Sequence, residues 1–188
     1  MSERLHGFRV AILATDLFEE AELVEPRKAL DAAGATTVVI APHSGEIQAV
    51  QHDKKTIKVK VDETLAKADP DHFDALLIPG GAMNADALRQ EPLAQEFARR
   101  IDQTRRPVAV ICHGGWLLAS ARLVKGRHMT SYGAIQDDLR NAGAFWSDKE
   151  VVREGNWVSS RKPSDIPRFN QELLNLFIEH RDRARAAA

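Results

Sequence analysis

The sequence has few of the features that would tie it to a membrane, an oxidising compartment or a nucleic acid. It contains one cysteine, so no internal disulfide can form. Its apolar runs are far shorter than a membrane span, and Met1 to Gly7 lacks the apolar stretch of a secretory signal. Lys and Arg total 26 against 27 Asp and Glu, giving a net charge of −1 without a basic stripe. We therefore expect a cytoplasmic protein with no membrane or nucleic-acid partner.

Short β-like runs alternate with helical segments along nearly the whole chain. With 44% apolar residues, the sequence predicts one domain over 1–188, with its core at about 8–178. The predicted strands are 8–14, 36–41, 56–61, 75–78 and 107–111, and 151–158 is a predicted hairpin. The predicted helices are 18–33, one beginning at Pro92, 116–121, 134–142 and 167–180, with a helical turn near Thr64 and a frayed tail at 181–188. This alternation predicts an α/β fold with a mostly parallel sheet between helices.

Ligands of such sheets bind at the carboxyl ends of the strands. Three segments follow predicted strands there: 16–25, 79–86 and 112–116. The βα turns contain neither G-x-G-x-x-G nor a phosphate loop, and the histidines lack metal-ligand spacing. His43, His52 and His72 are predicted surface residues. We therefore expect no cofactor and no metal.

Cys112 ends an apolar strand and is followed by His113-Gly114-Gly115 and a helix, the pattern of a nucleophile elbow. The sharp turn lifts the side chain above the sheet, and Gly114 lets neighbouring backbone pass close by. The N–H groups and dipole of the following helix favour a thiolate, which predicts a pKa below about 7. The alternative is that Cys112 is a small buried apolar residue and His113 a structural histidine.

Two other segments have both structural and chemical interpretations. Glu19, Glu20 and Glu22 could complement a helix dipole, or one of them could point inward as a protonated donor to the thiolate. Gly80-Gly81 after Pro79 could be a plain turn, or could present a backbone N–H to an oxyanion. Asp86 would ordinarily be an acid near a helix N-terminus.

In this order and spacing, five motifs resemble the PfpI-type intracellular peptidases of the ThiJ/PfpI superfamily. That superfamily includes bacterial general stress proteins and enzymes described as glyoxalase III or deglycases. The motifs are FEEAE at 18–22 with Pro26, FDALLIPGG at 73–81, VICHG at 110–114, MTSY at 129–132 and WVSSRKP at 157–163. The resemblance covers about residues 8–178 and implies a flavodoxin-like fold of the class I glutamine amidotransferase type.

The resemblance also implies roles for individual residues. Cys112 matches the nucleophile, His113 its partner, and Glu22 the buried acid beside the thiol. The backbone at Gly81 and His113 matches the oxyanion donors, next to Gly114. Tyr132 matches a pocket tyrosine, for which ordinary packing is the alternative. Asp86 best matches a third triad member that a neighbouring subunit supplies, although it lies one position later than the corresponding acid of some members. A site completed by a second subunit implies a homo-oligomer such as a dimer or hexamer.

The function implied is that of a cysteine-dependent stress-protection enzyme acting on small electrophilic carbonyls or their adducts. An intracellular cysteine peptidase acting on peptide substrates would use the same machinery. A non-catalytic redox sensor or holdase, with Cys112 oxidised rather than turning over, is an alternative from another class. A glutamine amidotransferase is excluded, because neither His128 nor His180 is followed by a glutamate two residues later.

Overall fold

The computed structural model describes residues 4–186. In chain order its elements are β1 (Arg9–Leu13), β2 (Phe18–Glu19), α1 (Glu20–Ala32), β3 (Thr36–Ala41), β4 (Glu46–Gln51), β5 (Lys54–Lys60), β6 (Glu63–Thr64), β7 (Ala75–Ile78), α2 (Ala82–Arg89), α3 (Pro92–Gln103), β8 (Val108–Ile111), α4 (Gly115–Ser120), β9 (His128–Met129), α5 (Gln136–Asn141), β10 (Phe145–Trp146), β11 (Val151–Glu154), β12 (Trp157–Ser160) and α6 (Ile166–Ala186). Most predicted elements are confirmed within one or two residues of their predicted bounds.

The central sheet has seven strands in the order β11-β12-β8-β7-β1-β3-β6. All neighbours pair in parallel except β11, which pairs antiparallel with β12 as the predicted hairpin. Strands β1, β7 and β8 are flanked by other strands and covered on both faces, so their residues are almost entirely buried. This is the predicted mostly parallel α/β sheet, and the fold is flavodoxin-like.

Alternate residues of β1 enter two separate cores, one on each face of the sheet. Val10 and Ile12 belong to the core that contains apolar side chains of α1 and α6. Ala11 and Leu13 belong to the core that contains side chains of α2, α3, α4 and α5. The side-chain period of two along a strand produces this division. Both cores support the carboxyl end of the sheet, where the loops after β1, β7 and β8 meet.

The segment between β3 and β7 differs most from its prediction. Residues 46–60 form an antiparallel hairpin of β4 and β5, of which only part of β5 was predicted. Residues 63–64 form the short strand β6 beside β3 rather than a helical turn. Strand β5 is exposed along almost its whole length. Its lysines obscure the alternation of apolar and polar residues by which a strand is recognised in a sequence.

Two helices also differ from prediction. Asp86 was expected near a helix N-terminus, but helix α2 begins four residues earlier, at Ala82; its bounds were not predicted, since its N-cap is Gly81 without a capping side chain and it has only eight residues. Helix α6 runs to Ala186, so the predicted frayed tail is helical as far as the chain is described; residues 187–188 lie outside the description. No helix within residues 4–186 combines the length and apolar composition needed to span a bilayer.

Candidate active site

Cys112 lies in a strained turn directly after β8. Its φ is +62°, in the left-handed region that L residues rarely occupy. Helix α4 begins three residues later, after a short turn of 3-10 helix. A Cβ atom on Gly114 would lie 2.9 Å from the Ile78 carbonyl oxygen, so only glycine lets the turn pack against β7 this closely. Gly114 thus contacts β7, and the predicted strand–turn–helix geometry is confirmed.

The Cys112 sulfur faces three groups that can exchange protons or donate hydrogen bonds. Nδ1 of His113 lies 3.2 Å from Sγ, and the tautomer of the ring decides which of the two groups donates. The backbone N–H groups of His113 and Gly81 lie near enough to the sulfur to lower its pKa. Gly81 has φ +89°, and a Cβ there would lie 2.6 Å from the Leu17 carbonyl oxygen. A glycine is therefore required for the loop to bring this N–H to the sulfur.

Glu22 is the glutamate that points inward, as the resemblance implies. It is 0% exposed, on the face of α1 that also buries Leu23, Pro26 and Leu30, whereas Glu19 and Glu20 are partly exposed. Its Oε2 accepts a hydrogen bond of 2.9 Å from the backbone N–H of Gly80. Its Oε1 has no hydrogen-bond partner among residues 4–186. The carboxyl group lies beside Cys112, whose thiol is its main side-chain neighbour.

Burial raises the pKa of Glu22 from 4.5 to about 8, although hydrogen bonds from Cys112 and Gly80 oppose the shift. Glu22 is therefore mainly protonated at pH 7. Burial also raises the pKa of the Cys112 thiol, and the charge of Glu22, when ionised, raises it further. The N–H groups of His113 and Gly81 lower the pKa by less. The predicted pKa below about 7 is wrong for this arrangement, because Cys112 is only 7% exposed and burial disfavours the anion.

The His113 ring lies between two aromatic side chains. It stacks on Tyr132 at 4.7 Å between centroids and meets the edge of Trp116 at 5.3 Å. Burial lowers the pKa of His113, which favours a neutral imidazole near pH 7. Tyr132 is 41% exposed, and its backbone N–H donates to the Cys112 carbonyl oxygen at 3.2 Å. Tyr132 therefore positions the histidine ring and also borders the cavity.

Asp86 lies apart from these groups within one chain. It is exposed in the middle of α2, where its Oδ2 accepts a hydrogen bond of 3.3 Å from Gln90. It is not in the first turn of the helix. Within residues 4–186, no carboxylate hydrogen-bonds to His113. Whether Asp86 of another copy fills that position stays a prediction.

Asn84 is a buried residue of the site that the sequence analysis did not identify. Its Oδ1 accepts from the Thr15 backbone N–H at 2.7 Å, and its Nδ2 donates to the Gly80 carbonyl at 2.9 Å and the Pro79 carbonyl at 3.4 Å. The loop after β1 leads to Glu22, and the loop after β7 carries Gly81. Asn84 ties these loops together. A polar residue three positions after the Gly-Gly turn, which was a predicted oxyanion site, was the available signal.

The sulfur opens into a cavity of about 210 Å³. Its walls are Glu19, Glu22, His52, Gly81, Ala82, Cys112, His113, Tyr132 and Pro163. His52 is exposed, as predicted, but its position at the cavity was not predicted. All three segments expected at the carboxyl edge of the sheet contribute to the site. Within residues 4–186 no group of three His, Cys, Asp or Glu side chains is arranged to hold a metal ion.

These features define a class: flavodoxin-like α/β proteins with a cysteine elbow, and with a buried glutamic acid and backbone N–H groups close to the sulfur. The profile of the DJ-1/PfpI family matches residues 8–176. The chain belongs to this family.

Individual relatives match over most of the chain. Deglycase PfpI of Pyrococcus furiosus is 40% identical over 168 residues, covering 89% of this chain and 98% of the relative. YraA of Bacillus subtilis, named as a candidate cysteine protease, is 42% identical over 168 residues, covering 89% and 97%. A solved two-domain protein of Anabaena variabilis, with DJ-1/ThiJ/PfpI-like and ferritin-like domains, has a TM-score of 0.85 and 31% identity. It matches 89% of this chain, which spans 47% of that longer protein.

Proposed function

We propose that the protein is a cysteine-dependent enzyme acting on small electrophilic carbonyls, such as glyoxals, or on their adducts with thiols and amines. The observation that carries the proposal is the position of the Cys112 sulfur, which faces the Gly81 N–H, His113 Nδ1 and a protonated Glu22 together. A nucleophile, a base, an acid and an oxyanion donor are the groups required for addition to a carbonyl. The name of the Pyrococcus deglycase supports the same chemistry.

A glyoxal such as methylglyoxal illustrates the steps. His113 accepts the thiol proton, the sulfur adds to the aldehyde carbon, and the new oxyanion lies at the N–H of Gly81 before it is protonated. A proton passes from the former aldehyde carbon to the adjacent carbonyl carbon, and the hemithioacetal hydroxyl proton passes to the oxygen of that carbonyl, which converts the hemithioacetal into a thioester. Water then hydrolyses the thioester to a hydroxy acid and the free thiol. The sum is one glyoxal plus one water giving one hydroxy acid, with no external oxidant or reductant.

A peptidase is the second candidate, supported by the name of the YraA relative. The cavity of about 210 Å³ is smaller than the roughly 300–1,000 Å³ of sites for drug-sized ligands. It suits a glyoxal better than an extended peptide, so we place carbonyl chemistry first.

Turnover by the purified protein tests both functions. We expect loss of methylglyoxal and of its adduct with N-acetylcysteine, and no cleavage of casein or fluorogenic peptides. Cys112→Ser should abolish the carbonyl activity, and Arg122→Gln, which alters an exposed residue after α4, should leave it unchanged. Peptide cleavage without carbonyl turnover would favour the peptidase. If neither substrate is consumed while peroxide oxidises Cys112 selectively, the protein is a redox sensor.

The homo-oligomer and the cytoplasmic location belong to the same proposal. Asp86 is exposed on α2, and the adjacent Met83 is 61% exposed. An apolar side chain this exposed beside the cavity suits contact with a second copy, which would bring an acid to His113.

A further inference from the structure

A second cavity, of about 420 Å³, lies at the amino-terminal ends of the strands, whereas Cys112 lies at their carboxyl ends. It is bordered by Thr104 and Arg105 after α3, Pro107 before β8, Asn156 before β12, and His180 and Arg183 on α6. Strand β8 separates the two sites, since Pro107 precedes the strand and Cys112 follows it. The cavity therefore has no residue in common with the active site.

The end of α6 builds one wall of this cavity. His180, Arg183 and Ala184 all lie beyond residue 176, where the match to the family profile stops. The cavity consequently depends on a helical extension outside the matched region.

Two arginines at this cavity, Arg105 and Arg183, form no salt bridge among residues 4–186, although the charge of Arg183 contributes to lowering the pKa of Glu179. The exposed guanidinium of Arg105 makes no side-chain hydrogen bond or salt bridge there. Arg183 donates only to the Glu179 backbone carbonyl, at 3.2 Å. The neighbouring carboxylates are bound to other arginines: Asp102 to Arg127 at 2.8 and 2.9 Å, Glu179 to Arg153, and Asp182 to Arg181. The two guanidinium groups are thus available to a ligand.

The surroundings of His180 reflect the same excess of positive charge. Burial lowers the pKa of His180, and the charges of Arg183 and Arg106 lower it further, against a smaller opposing effect of Asp74. The other walls include the apolar side chains of Pro107, Leu176 and Ala184. A cavity lined by arginines from two separate elements and by apolar side chains suits an anionic group attached to a small organic body.

We propose that this cavity binds a small organic phosphate monoester, whose phosphate is held between Arg105 and Arg183. Two planar guanidinium groups from separate elements can each donate a pair of hydrogen bonds to phosphate oxygens. The volume leaves room for an organic part beside Pro107 and Leu176. The proposal is independent of the chemistry at Cys112.

Calorimetric titration at low ionic strength tests the proposal with ribose 5-phosphate, ribose and inorganic phosphate as probes. We expect ribose 5-phosphate to bind, inorganic phosphate to bind more weakly, and ribose not to bind. Arg105→Gln and Arg183→Gln should each raise the dissociation constant roughly ten-fold, as expected for loss of a charge-assisted hydrogen-bonded pair. Proton NMR should show the pKa of His180 rising when the ester binds, since an added anion favours the imidazolium.

Arg122→Gln is the matched control, because Arg122 is exposed and has the same left-handed backbone as Arg105, with φ +62° against +57°. It does not border the cavity, and its substitution should leave binding unchanged. Absence of ribose 5-phosphate binding would overturn the proposal, as would binding that neither Arg105→Gln nor Arg183→Gln weakens. Equal affinities for inorganic phosphate and the ester would show that the organic part of the ligand contributes nothing to binding, and would overturn the proposal that the ligand is an ester. Thermal melting of each variant verifies that folding is retained.

Discussion

The Asn84 side chain accepts a hydrogen bond from the backbone N–H of Thr15 at 2.7 Å, although the two residues follow different strands. The same amide donates to the Gly80 carbonyl, so one buried side chain sets the distance between the loops that lead to Glu22 and Gly81. The alignment of the Glu22 carboxyl group with the Gly81 N–H therefore depends on a residue that does not line the cavity.

Asn84→Asp should separate this positioning role from a purely structural one. The variant keeps the acceptor for Thr15 but sets a second acceptor against the Gly80 carbonyl. We expect kcat to fall roughly ten-fold, corresponding to one disrupted buried hydrogen bond, with KM nearly unchanged. The amide ¹⁵N resonance of Gly81 should shift as well. Asn175→Asp, the same change on the exposed face of α6, is the control; a loss of stability with kcat and the Gly81 resonance intact would show that Asn84 only supports the fold.

Glu22 should influence the reactivity of Cys112 in opposite directions on either side of about pH 8. Below that pH the protonated carboxyl can donate to the thiolate through Oε1, and above it the carboxylate raises the pKa of the thiol. At pH 7 we expect iodoacetamide to alkylate Glu22→Ala roughly ten-fold more slowly than the wild type, with Glu22→Gln between them. At pH 10 Glu22→Gln should react faster than the wild type. Identical profiles for all three proteins would mean that Glu22 does not act on the sulfur.

The same group should make the stability of the fold depend on pH. The pKa of Glu22 is about 8 in the folded state against 4.5 in its ordinary state, so the folded protein retains a proton that the unfolded chain releases. This contribution is complete below pH 4.5 and is lost as the pH rises through about 8. Relative to Glu22→Gln, the wild type should lose on the order of a few kcal/mol between pH 5 and pH 9, measured by urea unfolding. Glu20→Gln, in the same helical turn, should show no such difference.

Two inactive variants should complement each other if the site is shared between copies. Cys112→Ala keeps Asp86, and Asp86→Ala keeps Cys112. In a dimer formed at random from equal amounts, about a quarter of the sites pair both intact residues, so about a quarter of the wild-type activity should return. Subunit exchange is verified by mass spectrometry of differently tagged chains. Full activity of Asp86→Ala alone would show instead that another group orients His113.

The sequence predicted the parts of this molecule whose signals are local. Buried strands such as β7 and β8 are continuous apolar runs, and the elbow at Cys112 follows from a strand, two glycines and a helix in succession. The position of Glu22 followed from the resemblance, while the apolar residues at 23, 26 and 30 independently place it on the buried face of α1.

The remainder depends on contacts between distant segments. Neither the bridge from Asn84 to Thr15 nor the position of His52 at the cavity has a signature in the neighbouring sequence. The pKa of Cys112 was predicted from the helix N-terminus and the neighbouring backbone amides. Its actual direction follows from the degree of burial and from a carboxyl group 90 positions earlier in the chain, and neither can be derived from local pattern.

The close packing around Gly80 has a consequence for how this enzyme could diversify. A Cβ atom there would lie 2.3 Å from Glu22 Oε2 and 2.6 Å from the Cys112 Cβ, so every other residue would displace the acid or the nucleophile. The mouth of the cavity is different: His52, Ala82, Tyr132 and Pro163 are exposed and come from four separate loops or helix ends. Point mutations at the mouth can therefore change substrate preference one position at a time, while mutations at the floor remove the chemistry altogether. Selection for new substrates, in nature or in the laboratory, should accumulate substitutions at these four positions and leave Gly80 untouched.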